Sequence, residues 1–207
     1  ALDLRKPEAI KIINKIAARA DICIQNYRPG VVEKLGIDYD HLKKINPELI
    51  YASISGVGAE GPYSRRRVYD PVIQAYAGFA SAQTTNGEPD LIKMMICDKV
   101  TSLTMAQAIT AALYDRKNTG KGQHVEVSML EASLSFLWPD RMLDQSFVDK
   151  PDSEGGDLTA LYQAVPTQDG HITFMTLQLD EFHGLARAVG KPEWAEDPRF
   201  QDLMSMY

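Results

Sequence analysis

Residues 20–55 read ADICIQNYRPGVVEKLGIDYDHLKKINPELIYASIS, and this stretch decides the fold. Ile22-Cys23-Ile24 is a short apolar run of the length and composition of a buried strand, and it stops at the turn signal Asn26-Tyr27-Arg28-Pro29-Gly30. Val31 to Leu35 and Tyr39 to Ile45 then carry short helical patterns. Asn46-Pro47 ends the second of them, because the residue before a proline is pushed out of the helical region. Leu49 to Ile54 is the next strand. Upstream, Ile10, Ile13, Ala17 and Ala20, with Ile16 beside them, place an amphipathic helix over Lys6 to Arg19, with Pro7 where a first helical turn tolerates it. Strands and helices alternating at this spacing predict an α/β fold, a Rossmann-like parallel sheet flanked by helices and joined by right-handed crossovers.

Further along, Gly56 to Arg67 reads as a loop, Pro71 to Ala80 as a helix and Thr84 to Pro89 as a polar turn. Leu91 to Cys97 is an apolar run short enough to favour a strand. A long helix is expected from Lys99 to about Lys117, with Val100, Leu103, Ala106, Ile109 and Leu113 as its inner stripe and Asn118-Thr119-Gly120 as its stop. His124 to Ser128 follows as a strand and Leu130 to about Phe147 as a helix. Asp149 to Asp157 is almost free of apolar residues and reads as a linker. A hairpin is expected beyond it, Ala160 to Val165 with His171 to Leu177, and then a helix from Asp180 to Val189. The domain division expected is therefore a large α/β domain over 1–148, a linker over 149–158 and the start of a smaller α+β domain over 159–207. Without an initiator Met, and with the chain opening inside what reads as a strand, we expect a fragment.

Among 207 residues, 44% are apolar, 24% charged and 8% aromatic, a globular composition that needs no disulfide staples. The two cysteines, Cys23 and Cys97, lie in apolar runs, which points to a reducing cytoplasmic setting and cannot furnish a zinc site. A formal charge of −6 argues against nucleic acid as a partner. No apolar stretch reaches membrane-spanning length and no signal peptide opens the chain.

Gly56-Val57-Gly58-Ala59-Glu60-Gly61 has the spacing of a dinucleotide fingerprint, but that fingerprint must open a helix, and here Pro62 and a long loop follow. Arg65-Arg66-Arg67 is the densest positive cluster and reads either as a solvated face or as a phosphate site. Asp98, between the apolar run and the long helix, stands where an N-cap would; a carboxylate there could instead be a nucleophile, ionised at neutral pH and beside helix amides suited to a developing oxyanion. His41, His124, His171 and His183 have no metal-ligand spacing, and no G-x-S-x-G elbow offers hydrolase chemistry.

With these residues in view, the chain resembles an internal piece of the family III coenzyme A transferases, the group that includes formyl-CoA:oxalate and carnitine CoA-transferases and the α-methylacyl-CoA racemases. The resemblance rests on Leu2-Asp3-Leu4-Arg5, Ala20-Asp21, Asn26-Tyr27-Arg28-Pro29-Gly30, Leu35-Gly36, Asn46-Pro47, Ser53-Ile54-Ser55-Gly56-Val57-Gly58, Tyr69-Asp70, Thr119-Gly120-Lys121-Gly122-Gln123 and Asp197-Pro198-Arg199-Phe200, in the family's order. It implies that Asp98 is the catalytic aspartate, which carries coenzyme A between an acyl-CoA and a free carboxylic acid through a covalent aspartyl-CoA intermediate. It implies contacts to coenzyme A from Leu2, Asp3, Leu4, Arg5, Asn26, Tyr27, Arg28 and Lys34, and from Arg67, Val68, Tyr69 and Asp70. It implies no metal, and an interlocked homodimer in which the 149–157 segment crosses the partner. The family's glycine-rich loop would fall near Glu154-Gly155-Gly156, which lacks the glycine run. A racemase, or a CoA-binding relative without activity, is the alternative; Tyr69 stands where the family's racemases carry a His, which weakens the racemase reading.

Overall fold

The computed structural model describes residues 1–84, 87–141, 146, 148 and 162–201. The chain divides into two compact units, Ala1–Phe147 and Val148–Tyr207. The expected 149–158 linker and the Glu154-Gly155-Gly156 segment lie outside the described residues.

The first unit is an α/β layer structure on a three-stranded parallel sheet in the order β1-β2-β3, formed by β1 (Ile22–Gln25), β2 (Ile50–Ser55) and β3 (His124–Ser128). Ile22 pairs with Ile50, and Tyr51 with His124. Alternation along β2 sends Ala52 and Ile54 to one face, where Met105 and Ile109 of α6 (Ile96–Thr119) cover them together with Val125 and Val127 of β3. Tyr51 faces the other way and joins Leu42, Leu49 and Ala17 beneath α1 (Pro7–Ala17) and α3 (Tyr39–Ile45). Its hydroxyl, buried with the ring, donates to Ile37 O at 2.8 Å and so is satisfied. The short α2 (Val31–Leu35) precedes α3. A third cluster, Ile73, Ala77, Phe79, Cys97 and Leu137, binds α4 (Asp70–Ala77), α5 (Phe79–Ala82) and α7 (Met129–Arg141) to the start of α6. Full burial of an aliphatic such as Leu42 or Ile73 contributes about 2 kcal/mol.

Four expectations are corrected. The apolar run from Leu91 to Cys97 is not a strand: residues 91–95 are irregular and α6 begins at Ile96. The buried Gln74 side chain occupies this backbone in place of a neighbouring strand, donating to Ile92 O and Met94 O and accepting from Ile92 N. The helix expected over Pro71 to Ala80 is broken at Gly78, which at φ 93° adopts a left-handed turn that other residues avoid. On α6 the buried stripe is Val100, Thr101, Met105, Ile109 and Ala112, whereas Leu103 is 67% exposed and Ala106 is exposed as well. Val100, Ile109 and, in part, Leu113 of the expected stripe are covered; apolar residues ring this helix, so periodicity alone misplaces Leu103 and Ala106. Finally, β1 is an edge strand rather than a buried one, with Ile24 59% exposed.

Gly122, in the turn from α6 into β3, has no room for a side chain. A Cβ there would lie 2.2 Å from Leu49 O and 2.6 Å from Leu49 N, while its own N–H donates to Pro47 O at 2.8 Å. This close backbone approach locks the entry of β3 against the entry of β2.

In the second unit, β4 (Val165–Pro166) and β5 (His171–Ile172) form an antiparallel pair shorter than the hairpin expected. α8 (Leu179–Ala188) starts on Glu181, whose carboxylate accepts from the Leu177 and Gln178 amides. Phe182 packs on Phe200, with ring centroids 5.0 Å apart. The Arg199 guanidinium, and after it the Arg199 amide, hold the Asp197 carboxyl down at about 2. Among the described residues no helix is long and apolar enough to cross a membrane.

Candidate active site

The C-terminal ends of parallel strands are where an α/β sheet leaves its crevice, because the loops there diverge to opposite sides. A cleft of about 710 Å³ opens at that place. Asn26, Tyr27 and Arg28 reach it from the loop after β1, and Ile54 and Ser55 from the end of β2. The loop before α4 brings Arg66, Arg67, Val68 and Tyr69, with Asp70 at the start of the helix, and the first turns of α6 bring Asp98, Thr101 and Ser102. Eight residues assigned through the family resemblance therefore share one cavity: Asn26, Tyr27, Arg28, Arg67, Val68, Tyr69, Asp70 and Asp98.

Leu2, Asp3, Leu4, Arg5 and Lys34 are not among its lining residues. Arg5 is turned onto Asp3 in a two-pronged ion pair of 2.8 and 2.9 Å, and Lys34 is exposed on α2. Within the arginine run, Arg66 and Arg67 line the cleft and Arg65 does not. The Arg66 guanidinium stands 4.4 Å from the centre of the Tyr63 ring.

Asp98 is the third residue of α6, not its N-cap, a position that Met95 fills without a side-chain hydrogen bond. The side chain is exposed to the cleft, and among the described residues nothing donates a hydrogen bond to its carboxylate. Partial burial pushes its pKa up; the Asp70 charge adds to this and Lys99 opposes it. The group is thus more basic than an aspartate in water. The neighbouring hydroxyls are turned away into the helix, Thr101 Oγ1 donating to Cys97 O and Ser102 Oγ to Asp98 O.

Asp70 occupies a different kind of place from its cleft neighbours. It is 4% exposed, and its two oxygens are taken by Gln74 Nε2 at 2.7 Å and by the Asp98 amide at 2.9 Å. Gln74, 1% exposed, was not singled out from the sequence. The only signal was its spacing of four from Asp70, which puts both on one helix face.

A smaller cleft of about 390 Å³ adjoins the first through Tyr27 and Arg28. In it, Gln25 Nε2 donates to Ser53 Oγ at 2.9 Å, and Ser53 Oγ lies 2.8 Å from His124 Nε2. Glu126 stands 4.0 Å from His124 Nδ1, too far to orient the ring by a hydrogen bond, and the serine already accepts from Gln25. This row is cross-strand pairing rather than an activated nucleophile.

The family model described as CoA-transferase family III matches residues 1–206. The acetyl-CoA:oxalate CoA-transferase of Acetobacter aceti is 34% identical over 203 residues, covering 96% of this chain and 52% of that protein. The succinate–glutarate CoA-transferase of Agrobacterium fabrum is 30% identical, covering 96% of this chain and 50% of that protein. The crystal structure of Rv3272 from Mycobacterium tuberculosis superposes with a TM-score of 0.84 at 30% identity, covering 99% of this chain and 54% of that one. The chain spans about half the length of the relatives it matches.

Proposed function

The chain belongs to CoA-transferase family III, and from that premise we propose that it carries the nucleophile and part of the coenzyme A site of an enzyme that moves CoA from an acyl-CoA to a free carboxylic acid. The observation that carries this reading is the Asp98 carboxylate, open to a cleft at the C-terminal end of the sheet with no donor spent on it among the described residues.

The proposed sequence balances without a net proton. A carboxylate oxygen of Asp98 attacks the thioester carbonyl, and the C–S bond breaks to leave a mixed anhydride and CoA thiolate. The thiolate attacks the Asp98 carbonyl carbon, which releases the donor carboxylate and leaves an aspartyl-CoA thioester. The acceptor carboxylate attacks that thioester in turn, and the freed thiolate then takes the acceptor's acyl carbon and restores Asp98. Each step exchanges one activated acyl group for another, so none is far uphill. The positive cleft wall of Arg28, Arg66 and Arg67 suits the phosphates of CoA. The interlocked homodimer and a reducing cytoplasmic compartment belong to the same proposal; both Cys23 and Cys97 are free thiols.

The test is a tracer experiment on the full-length enzyme in deuterated water with an acyl-CoA and a second free acid. Transfer moves CoA onto the second acid and leaves the α-carbon unlabelled. Rapid α-deuteration with no movement of CoA to any acid sinks the proposal in favour of racemisation, which needs bases on both faces of that carbon.

Replacing Arg28 by Ala is expected to raise KM for acyl-CoA about tenfold, the scale of one charge-assisted hydrogen bond. Its salt dependence should weaken at the same time. Steady-state kinetics at two ionic strengths read both, and an unchanged KM with an unchanged salt response removes Arg28 from the phosphate site.

A further inference from the structure

The 24-residue α6 begins without a side-chain cap of its own, yet its third residue is Asp98. The first amides of any helix lack partners within it. Here the Asp98 amide is taken by the carboxylate of Asp70, twenty-eight positions earlier and on another helix. The opposite oxygen of Asp70 receives Gln74 Nε2. The two hydrogens of that Gln74 amide are shared among three acceptors, Asp70 and, at 3.0 and 3.1 Å, Ile92 O and Met94 O, and its oxygen accepts from Ile92 N at 2.9 Å. The irregular segment leading into α6 pairs with no strand; Ile92 packs against the cluster of α4, α5 and α7, and the backbone polar groups of Ile92 and Met94 are met by one buried glutamine.

We propose that Gln74 is a positioning residue for the transfer reaction: it fixes both the segment that delivers Asp98 and, through Asp70, the backbone amide of Asp98 itself. The inference rests on Asp98 being the nucleophile. Gln74 touches no substrate in this scheme and acts through the backbone. Its orientation cannot reverse, because turning the amide over would set its NH2 against the Ile92 N–H and its oxygen against the Ile92 and Met94 carbonyls. Asp70 in turn must be a carboxylate rather than an amide. Both of its partners are donors, and an asparagine could accept from Gln74 or from the Asp98 amide but would face the other with its own NH2. The arrangement is thus a chain of groups each of which has only one workable chemistry. It sets where the attacking oxygen stands relative to the thioester bound in the cleft.

The experiment compares Gln74→Met, Asp70→Asn, Asp98→Asn and Leu42→Ala in the full-length enzyme. Leu42 lies fully buried in the cluster under α1 and α3, away from the cleft lining, so Leu42→Ala is the control for lost stability alone. Gln74→Met and Asp70→Asn are expected to lower kcat about 100-fold, the scale of an ångström-sized misplacement of a reacting group. KM for acyl-CoA should stay within about twofold, since the arginine wall of the cleft is untouched. Formation of the aspartyl-CoA adduct, followed by intact mass, should slow in parallel. Leu42→Ala, melting at a similarly lowered temperature, should keep kcat. If Gln74→Met does not fold, Asp70→Asn, which leaves shape and packing unchanged, decides alone. Wild-type kcat in the folded variants, or an equal loss of kcat in Leu42→Ala, overturns the positioning role while an inactive Asp98→Asn leaves the nucleophile standing. An active Asp98→Asn overturns the nucleophile, and the positioning role with it.

Discussion

Asp98→Asn in the full-length enzyme is expected to lower CoA exchange between acids by roughly 10³-fold or more, because the carbonyl amide that replaces the carboxylate has no anionic oxygen to attack the thioester. The aspartyl-CoA adduct should vanish from the intact mass. Folding should survive the change. The Asp98 carboxylate caps nothing, and its neighbour Asp70 repels it, so the variant should melt no lower than the parent. The acid limb of the wild-type rate profile follows from the same surroundings. The attacking species is the anion, and burial with the Asp70 charge raises the carboxyl above the ordinary aspartate value of 3.8. Activity should therefore be full above that raised value and fall as pH drops through it. Exchange at wild-type rate in Asp98→Asn, measured by transfer of labelled CoA between two acids, would falsify the assignment of the nucleophile.

The largest effect on the fold is expected from Gly122→Ala. The added methyl would sit 2.2 Å from Leu49 O and 2.5 Å from Glu48 C, and both obstacles are backbone at the entry of β2. Neither can step aside as a flexible side chain would. Relief requires the α6–β3 turn to lift off β2 and give up the Gly122 N–H bond to Pro47 O. A loss of about 3 kcal/mol or more is expected, at the upper end of overpacking costs. Urea denaturation of this 207-residue chain checks it through the midpoint at constant slope. A midpoint equal to that of the parent would mean that the turn is not held against Leu49 in solution.

How much of this was legible in the sequence depends on where each decision is made. The three strands, α2 and α3 are bounded by local punctuation, Arg28-Pro29-Gly30 and Asn46-Pro47 among it, and their limits agree with the structure to within a residue or two. Leu91 to Cys97 could not be read that way. Its conformation is set by Gln74, eighteen residues upstream of Ile92, and an apolar run carries no mark of a side chain that will occupy its backbone. The same distance effect hid the role of Asp70. Adjacent in sequence to Tyr69, it lines the cleft as expected, but its carboxylate oxygens are taken by Gln74 and the amide of Asp98, which its sequence position does not show. On α6, Leu103 and Met105 are equally apolar, and only the position of β2 and β3 decides which of them is covered. The cleft draws on separated segments, after β1, at the end of β2, before α4, in the first turns of α6 and at the start of α7. Their convergence is a product of the parallel topology and cannot be inferred from spacing along the chain; the resemblance to a known family brought these residues together before the fold did.

The parallel order of the sheet also sets a timetable for the ribosome. Ser53 and His124 touch across neighbouring strands, yet they are 71 positions apart in the chain. At about 5–20 residues per second, β2 waits roughly 4–14 s after its own synthesis before β3 has been translated. For that interval the edge of β2 that β3 will cover is unpaired and flanked by apolar surface, the state in which wrong partners are most readily taken. Translation speed through the α6 codons, and chaperone occupancy while they are read, should therefore govern the yield of folded protein more than the thermodynamic stability of the finished domain does.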